Sequence, residues 1–184
     1  MVRIKSRWSK KDKTHTPEEI GGAMAFIIWK LAMNTMLSME NAQYKTDTQQ
    51  DRLDIITEVL IFCMHLADRM TIERFDENER IEFMSGLANK CAKHLHDNMR
   101  DLGKEGEFRQ PFIELMNARF ADYASFAFDE DEGPSFVMSR FFGDQVKKVM
   151  KSEEDQKWVG QQMLDIEVPE IMDHFKRAVP NLFR

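Results

Sequence analysis

The segment from Asp47 to Met70 constrains the fold more than any other part of the chain. Apolar residues recur along it every three or four positions, which predicts an α-helix with one packing seam: Leu53, Ile56, Leu60, Cys63, Ala67 and Met70. The same helix carries a second apolar strip, formed by Ile55, Val59, Phe62 and Leu66. Because a helix with two apolar strips needs partners on two sides, we expect other helices to enclose this one.

Start signals for further helices lie on both sides of this segment. Residues 16–19 (Thr-Pro-Glu-Glu) form a capping box with proline at the first helical position, and Asp76 with Glu79 forms another. The second box opens an antiparallel partner helix, whose seam is Ile81, Met84, Ala88, Cys91, Leu95 and Leu102. Further helical patterns run from about 107 to 128, from 135 to 151, from 153 to 166 and beyond Pro169. The sequence therefore predicts an all-α, single-domain bundle of six to seven helices, with long antiparallel helices in the N-terminal two-thirds.

Charge divides the chain into an arm and a body. Residues 1–15 carry six basic side chains against one acid, whereas the whole chain has a net charge of −6. An acidic body is a poor surface for nucleic acid, so the basic N-terminal arm is the candidate for such contact. We predict one helical domain over 16–184, with a hinge at 129–134, where acids precede a Gly-Pro turn.

Three features predict a cytoplasmic protein without a membrane span. Cys63 and Cys91 lie within apolar helical patterns, as unpaired thiols do in a reducing compartment. Residues 1–15 have no apolar core of the kind that a secretory signal requires. The most apolar stretch, 23–39, is interrupted by Lys30 and by polar residues, so we expect a buried core helix there.

His65, Asp68 and Arg69 are the best catalytic candidates in the sequence. They lie about one helical turn apart, so Asp68 can orient the imidazole while Arg69 stays available for an anion. The alternative is a buried histidine that its neighbours satisfy. The chain has neither a glycine-rich phosphate loop nor a nucleophile elbow, and we predict no cofactor.

No metal site is predicted either. Cys91 and His94 have the one-turn spacing of a ligand pair. Cys63, on the antiparallel partner helix, is expected about 10 Å from them along the helix axis, which is too far for a third ligand. The acids at 129–132 begin like a calcium loop, but Arg140 occupies the position where that loop needs a bidentate glutamate.

Two apolar features favour binding over catalysis. Eight of the fourteen phenylalanines fall between 108 and 142, enough to line an apolar cavity whose candidate residues are Phe112, Phe120, Phe136 and Phe141. On the 47–70 helix, Ile61 and Phe62 lie away from the main seam and beside His65. An apolar centre with a polar rim is typical of a protein interface.

These observations favour a non-catalytic helical protein that acts through self-association or by binding another protein. Ile61, Phe62 and His65 are then the predicted interface of a homo-oligomer. One alternative is a protein that binds an apolar ligand among the phenylalanines. Another is an enzyme that uses His65, Asp68 and Arg69.

Overall fold

The computed structural model describes residues 15–183, most of which are helical. The first five helices are α1 (Pro17–Asn41), α2 (Gln49–Thr71), α3 (Glu77–Asp101), α4 (Arg109–Tyr123) and α5 (Phe136–Val149). A short α6 (Val159–Gln162), a π-helical segment (Met163–Glu167) and α7 (Val168–Leu182) then follow one another without a break. The predicted all-α bundle is confirmed. The contacts predicted for the basic arm lie outside the described residues.

Helix α2 is the axis of the bundle, and side chains cover it on every side. Every residue from Glu58 to Asp68 is buried, so three consecutive turns have no face in solvent. Helices α1, α3, α4, α5 and α7 all contact it. The expectation that α2 has partners on more than one side is confirmed.

The predicted interface of Ile61, Phe62 and His65 is not at the surface. Ile61 and Phe62 are fully buried, and His65 is only 3% exposed. The ring of Phe62 stacks on Phe142 of α5, with 4.1 Å between the ring centroids, and also contacts Tyr123. Helices α4 and α5 cover the face of α2 that the α3 hairpin leaves open, so these three residues belong to the core of the chain.

Two glycines bring the backbones of α1 and α3 into close contact. A β-carbon at Gly21 would lie 2.2 Å from the carbonyl oxygen of Phe83, and one at Gly86 would lie 2.6 Å from the carbonyl oxygen of Glu18. No other residue type fits at either position without moving a helix, because every other side chain begins with a β-carbon. The contact therefore determines how α1 crosses α3.

The inward face of α3 matches the predicted seam in the middle of the helix and differs from it at the ends. The ends of the predicted seam, Ile81 and Leu102, are exposed, whereas Phe83 and Leu87 are buried. The middle of the seam, at Ala88, Cys91 and Leu95, is buried as predicted. Phe83 and Leu87 adjoin the glycine contact with α1, and with Cys91 and Leu95 they recur every four residues, a second strip that the sequence also contains.

Helix α1 also meets the length and composition criteria for crossing a membrane, as no other helix of the described residues does. Half of its most apolar window is buried inside the fold, where α2 and α3 pack against it. The buried core helix that the sequence predicts is therefore present on the inner side of α1, while Phe26 and Leu37 on its other side are exposed. The absence of a membrane span stays a prediction.

The acidic segment predicted as a hinge forms a short β-hairpin with strands Phe128–Asp129 and Gly133–Pro134. The Asp129 carboxylate closes the turn by accepting hydrogen bonds from the backbone N–H groups of residues 131 and 132, both at 2.9 Å. Gly133 adopts a φ of 93°, which glycine tolerates best, and a β-carbon there would meet Met172 at 3.2 Å. The hairpin thus lies against α7. That this segment acts as a hinge stays a prediction.

The C-terminal helices differ from the sequence expectation at Pro169. Separate helices are predicted on its two sides, but the chain stays helical from Val159 to Leu182. The π-helical segment lies just before this proline. Because proline has no N–H to donate to the preceding turn, a local change to π-helical hydrogen bonding lets the helix continue.

We expect Gly21→Ala to lower the free energy of unfolding by about 2 kcal/mol, because its methyl group overlaps the Phe83 carbonyl and forces the helices apart. Gly22→Ala is the matched control, since a β-carbon there meets no atom within 4 Å. Alanine favours a helix over glycine by up to about 1 kcal/mol, so the control should be neutral or stabilising. Urea unfolding measures both variants. Equal stabilities would contradict the close α1–α3 contact.

Candidate functional site

The buried acids of α2 are each paired with a cation from a different part of the chain. The pairs are Asp51–Lys151, Glu58–Arg119 and Asp68–Arg80. Both arginines bind their carboxylates through two nitrogens, with donor–acceptor distances of 2.6 to 3.0 Å. Since a buried charge needs a partner, these contacts hold α3, α4 and the segment after α5 against α2.

The hydrogen-bonded cluster predicted from His65, Asp68 and Arg69 does not form. Both oxygens of Asp68 accept hydrogen bonds from Arg80. Arg69 donates instead to the backbone carbonyl oxygen of Phe126 at 3.3 Å. Helical spacing places the three residues within one turn of each other, but neighbours from elsewhere in the chain determine where their polar groups bind.

His65 lies in an aromatic enclosure made by α4. The ring of Phe120 meets it edge-on and that of Tyr123 stacks against it, each with 5.2 Å between ring centroids. Within the described residues, neither imidazole nitrogen makes a hydrogen bond, and the buried Tyr123 hydroxyl makes none. Burial, with the nearby Arg69 charge, lowers the pKa of His65 to about 4, because a desolvated imidazole favours its neutral form. The imidazole is therefore uncharged at neutral pH.

The four phenylalanines predicted to line an apolar cavity are divided between the packed core and the surface. Phe120 contacts His65, and Phe141 contacts Tyr123 and Phe126, so both belong to a packed aromatic core. Phe112 is buried, whereas Phe136 is 61% exposed at the start of α5. Because the sequence alone does not orient α4 relative to α5, it could not separate a core residue from a surface one.

The outward side of α1 is apolar. Phe26, Met33 and Leu37 are exposed on it, with the exposed Lys30 between them. Their separations of three and four residues, or multiples of these, bring them to one side of the helix. From Phe26 to Leu37 this stripe is about 17 Å long at 1.5 Å per residue. We call these four residues the α1 face.

Sequence reasoning missed the α1 face because α1 is apolar on every side. Met24 and Ile28 point into the core, while Phe26 and Leu37 point outward. An all-round apolar helix predicts enclosure by neighbours, yet within residues 15–183 nothing covers the side of α1 that carries Phe26 and Leu37. The outward stripe itself is visible in the sequence, but which side stays uncovered depends on the packing of α2 and α3.

Comparison of the chain with protein-family models, with curated proteins and with solved structures gives no match. The described residues define a class of fold, an all-α bundle built around one enclosed helix. The functional proposals below rest on the geometry of the chain.

We expect the protein to lose stability as the pH falls from about 6.5 to about 4. The unfolded chain protonates His65 near the upper value, whereas the folded chain keeps it neutral until the lower one, so acid favours the unfolded state. The contribution of His65 is present above this range and is lost across it, and it amounts to about 3 kcal/mol.

His65→Phe tests this assignment because it keeps an aromatic ring and removes the titration. Its free energy of unfolding, measured with urea at about pH 7 and about pH 4.5, should change less than that of the wild type. His174→Gln replaces an exposed histidine. Between these two pH values its free energy of unfolding should change as much as that of the wild type. If the free energy of unfolding of His65→Phe changes as much with pH as that of the wild type, other groups cause the acid sensitivity.

Proposed function

We propose that the chain is a non-catalytic helical protein that acts through self-association, with the α1 face as the contact. The exposure of Phe26 and Leu37, at 63% and 53%, carries this proposal. Exposed apolar patches with polar neighbours typically mark interaction sites. Since Ile61 and Phe62 are buried, the proposal keeps the function expected from the sequence and moves the contact to α1.

A second copy of the chain suits this face because the stripe is symmetric along the helix. Phe26 and Leu37 lie equally far from a midpoint between residues 31 and 32, and so do Lys30 and Met33. Two α1 helices packed antiparallel about a twofold axis therefore bring each Phe26 against the partner's Leu37. The hydrocarbon stem of Lys30 covers the partner's Met33 while its charge stays in water.

The cysteines support placing this association in the cytoplasm. Cys63 and Cys91 are both unpaired and buried. Burial raises the pKa of the Cys91 thiol to about 12 and raises that of Cys63 as well, so neither is a reactive thiolate at neutral pH. Unpaired thiols of this kind suit a reducing compartment.

We expect Phe26→Glu to give a folded monomer. In the free chain the new carboxylate stays hydrated, because position 26 is exposed. In the dimer it would be desolvated against apolar groups at a cost of several kcal/mol. Light scattering during size-exclusion chromatography measures the mass, and circular dichroism verifies the helical fold.

Phe136→Glu is the matched control for this experiment. It is the same substitution at a position of almost equal exposure, 61% against 63%, but on α5. Phe136→Glu should leave the self-association of the protein unchanged. The proposal fails if the wild type is monomeric at micromolar concentration, or if Phe136→Glu dissociates the protein and Phe26→Glu does not.

A further inference from the structure

Arg69, in the last turn of α2, and Arg74, in the turn after it, differ from the arginines that pair with the buried acids of this helix. Arg80 and Arg119 are each bound to a carboxylate. No ion pair joins Arg69 or Arg74 to a carboxylate of residues 15–183. Arg69 is also half-buried, so its charge is partly desolvated without a counter-ion.

Aromatic rings and a carbonyl group hold these two guanidinium groups in place. Arg69 donates to the carbonyl oxygen of Phe126 at 3.3 Å, and its Cζ lies 5.9 Å from the ring centroid of Phe128. The Cζ of Arg74 lies 5.1 Å from the ring centroid of Phe183. A guanidinium that rests on a ring keeps its N–H edge available for an anion.

Both arginines line one groove. A groove of about 440 Å³ lies between the end of α2 and the hairpin, and Arg69 and Arg74 line it together with Met70 and Phe128. A smaller one of about 180 Å³ shares Arg74 and Met70 and continues to Val179 of α7. We call the two together the arginine groove.

The charges of the arginine groove balance. Its lining contains three basic and three acidic residues, namely Arg69, Arg74, Lys176, Glu73, Glu130 and Asp131. Lys176 is already engaged, since its Nζ donates to the backbone carbonyl oxygen of Asp131. The acids repel a polyanion, whereas a single negative charge can bind at Arg69 and Arg74 without a large net field against it.

We propose that the arginine groove binds a small monocarboxylate that carries an apolar body. The carboxylate accepts hydrogen bonds from Arg69 and Arg74, because the planar guanidinium matches its geometry. The apolar body lies on Ile72, which is exposed, and on Phe128. This site does not depend on the α1 face, so either proposal can fail without the other.

The probe is 3-phenylpropionate, titrated into the whole protein by isothermal calorimetry or NMR. We expect saturable binding. The alcohol 3-phenylpropanol keeps the apolar body without the charge, and acetate keeps the charge without the body. Each should bind at least about tenfold more weakly than the probe, since each lacks one of the two contacts.

Arg69→Gln and Arg74→Gln should each weaken binding of 3-phenylpropionate by about tenfold, because each removes a charge-assisted hydrogen bond. Arg140→Gln replaces an exposed arginine of α5 and should bind as the wild type does. Arg74 is exposed, so its variant keeps the test valid if Arg69→Gln does not fold. No saturable binding, equal affinity for the alcohol, or full affinity in folded Arg74→Gln would overturn the proposal.

Discussion

The enclosure of α2 is the constraint on which the rest of this structure depends. Every residue from Glu58 to Asp68 is buried, so five other helices supply the surface that covers this one. Burying apolar surface favours the fold by about 25 cal/mol per Å², but the same enclosure removes the α2 acids from water. Each buried acid is paired with a cation from another part of the chain, as a buried charge requires, and these pairs help to position α3, α4 and the segment after α5.

These ion pairs determine the positions of the helices around α2 more than they stabilise the fold. A buried pair contributes little net free energy, although loss of one partner costs about 3–5 kcal/mol. Arg119 reaches Glu58 from α4 through two hydrogen bonds and so fixes the rotation of that helix. Phe120 and Tyr123 are consequently turned onto His65, two turns further along α2. The depressed pKa of His65 thus follows from a contact made elsewhere on the helix.

Local signals predicted the helices well, but they predicted only part of how the helices pack against one another. The capping boxes at 16–19 and 76–79 are both present, because a box depends on residues three apart in the chain. By contrast, Ile81 has the spacing of a buried residue and is exposed, since its burial depends on which side of α3 the other helices cover. The candidate site failed for a similar reason. Helical spacing places Asp68 within reach of His65, but Arg80, twelve residues away, takes both of its oxygens.

Native-state hydrogen exchange tests the enclosure of α2 most directly. The amides of residues 58–68 should be the slowest in the molecule, because no opening short of global unfolding exposes them. Their free energy of exchange should equal the global free energy of unfolding measured with urea. Faster exchange in these turns than in α1 or α3, or exchange through a smaller opening, would contradict the account.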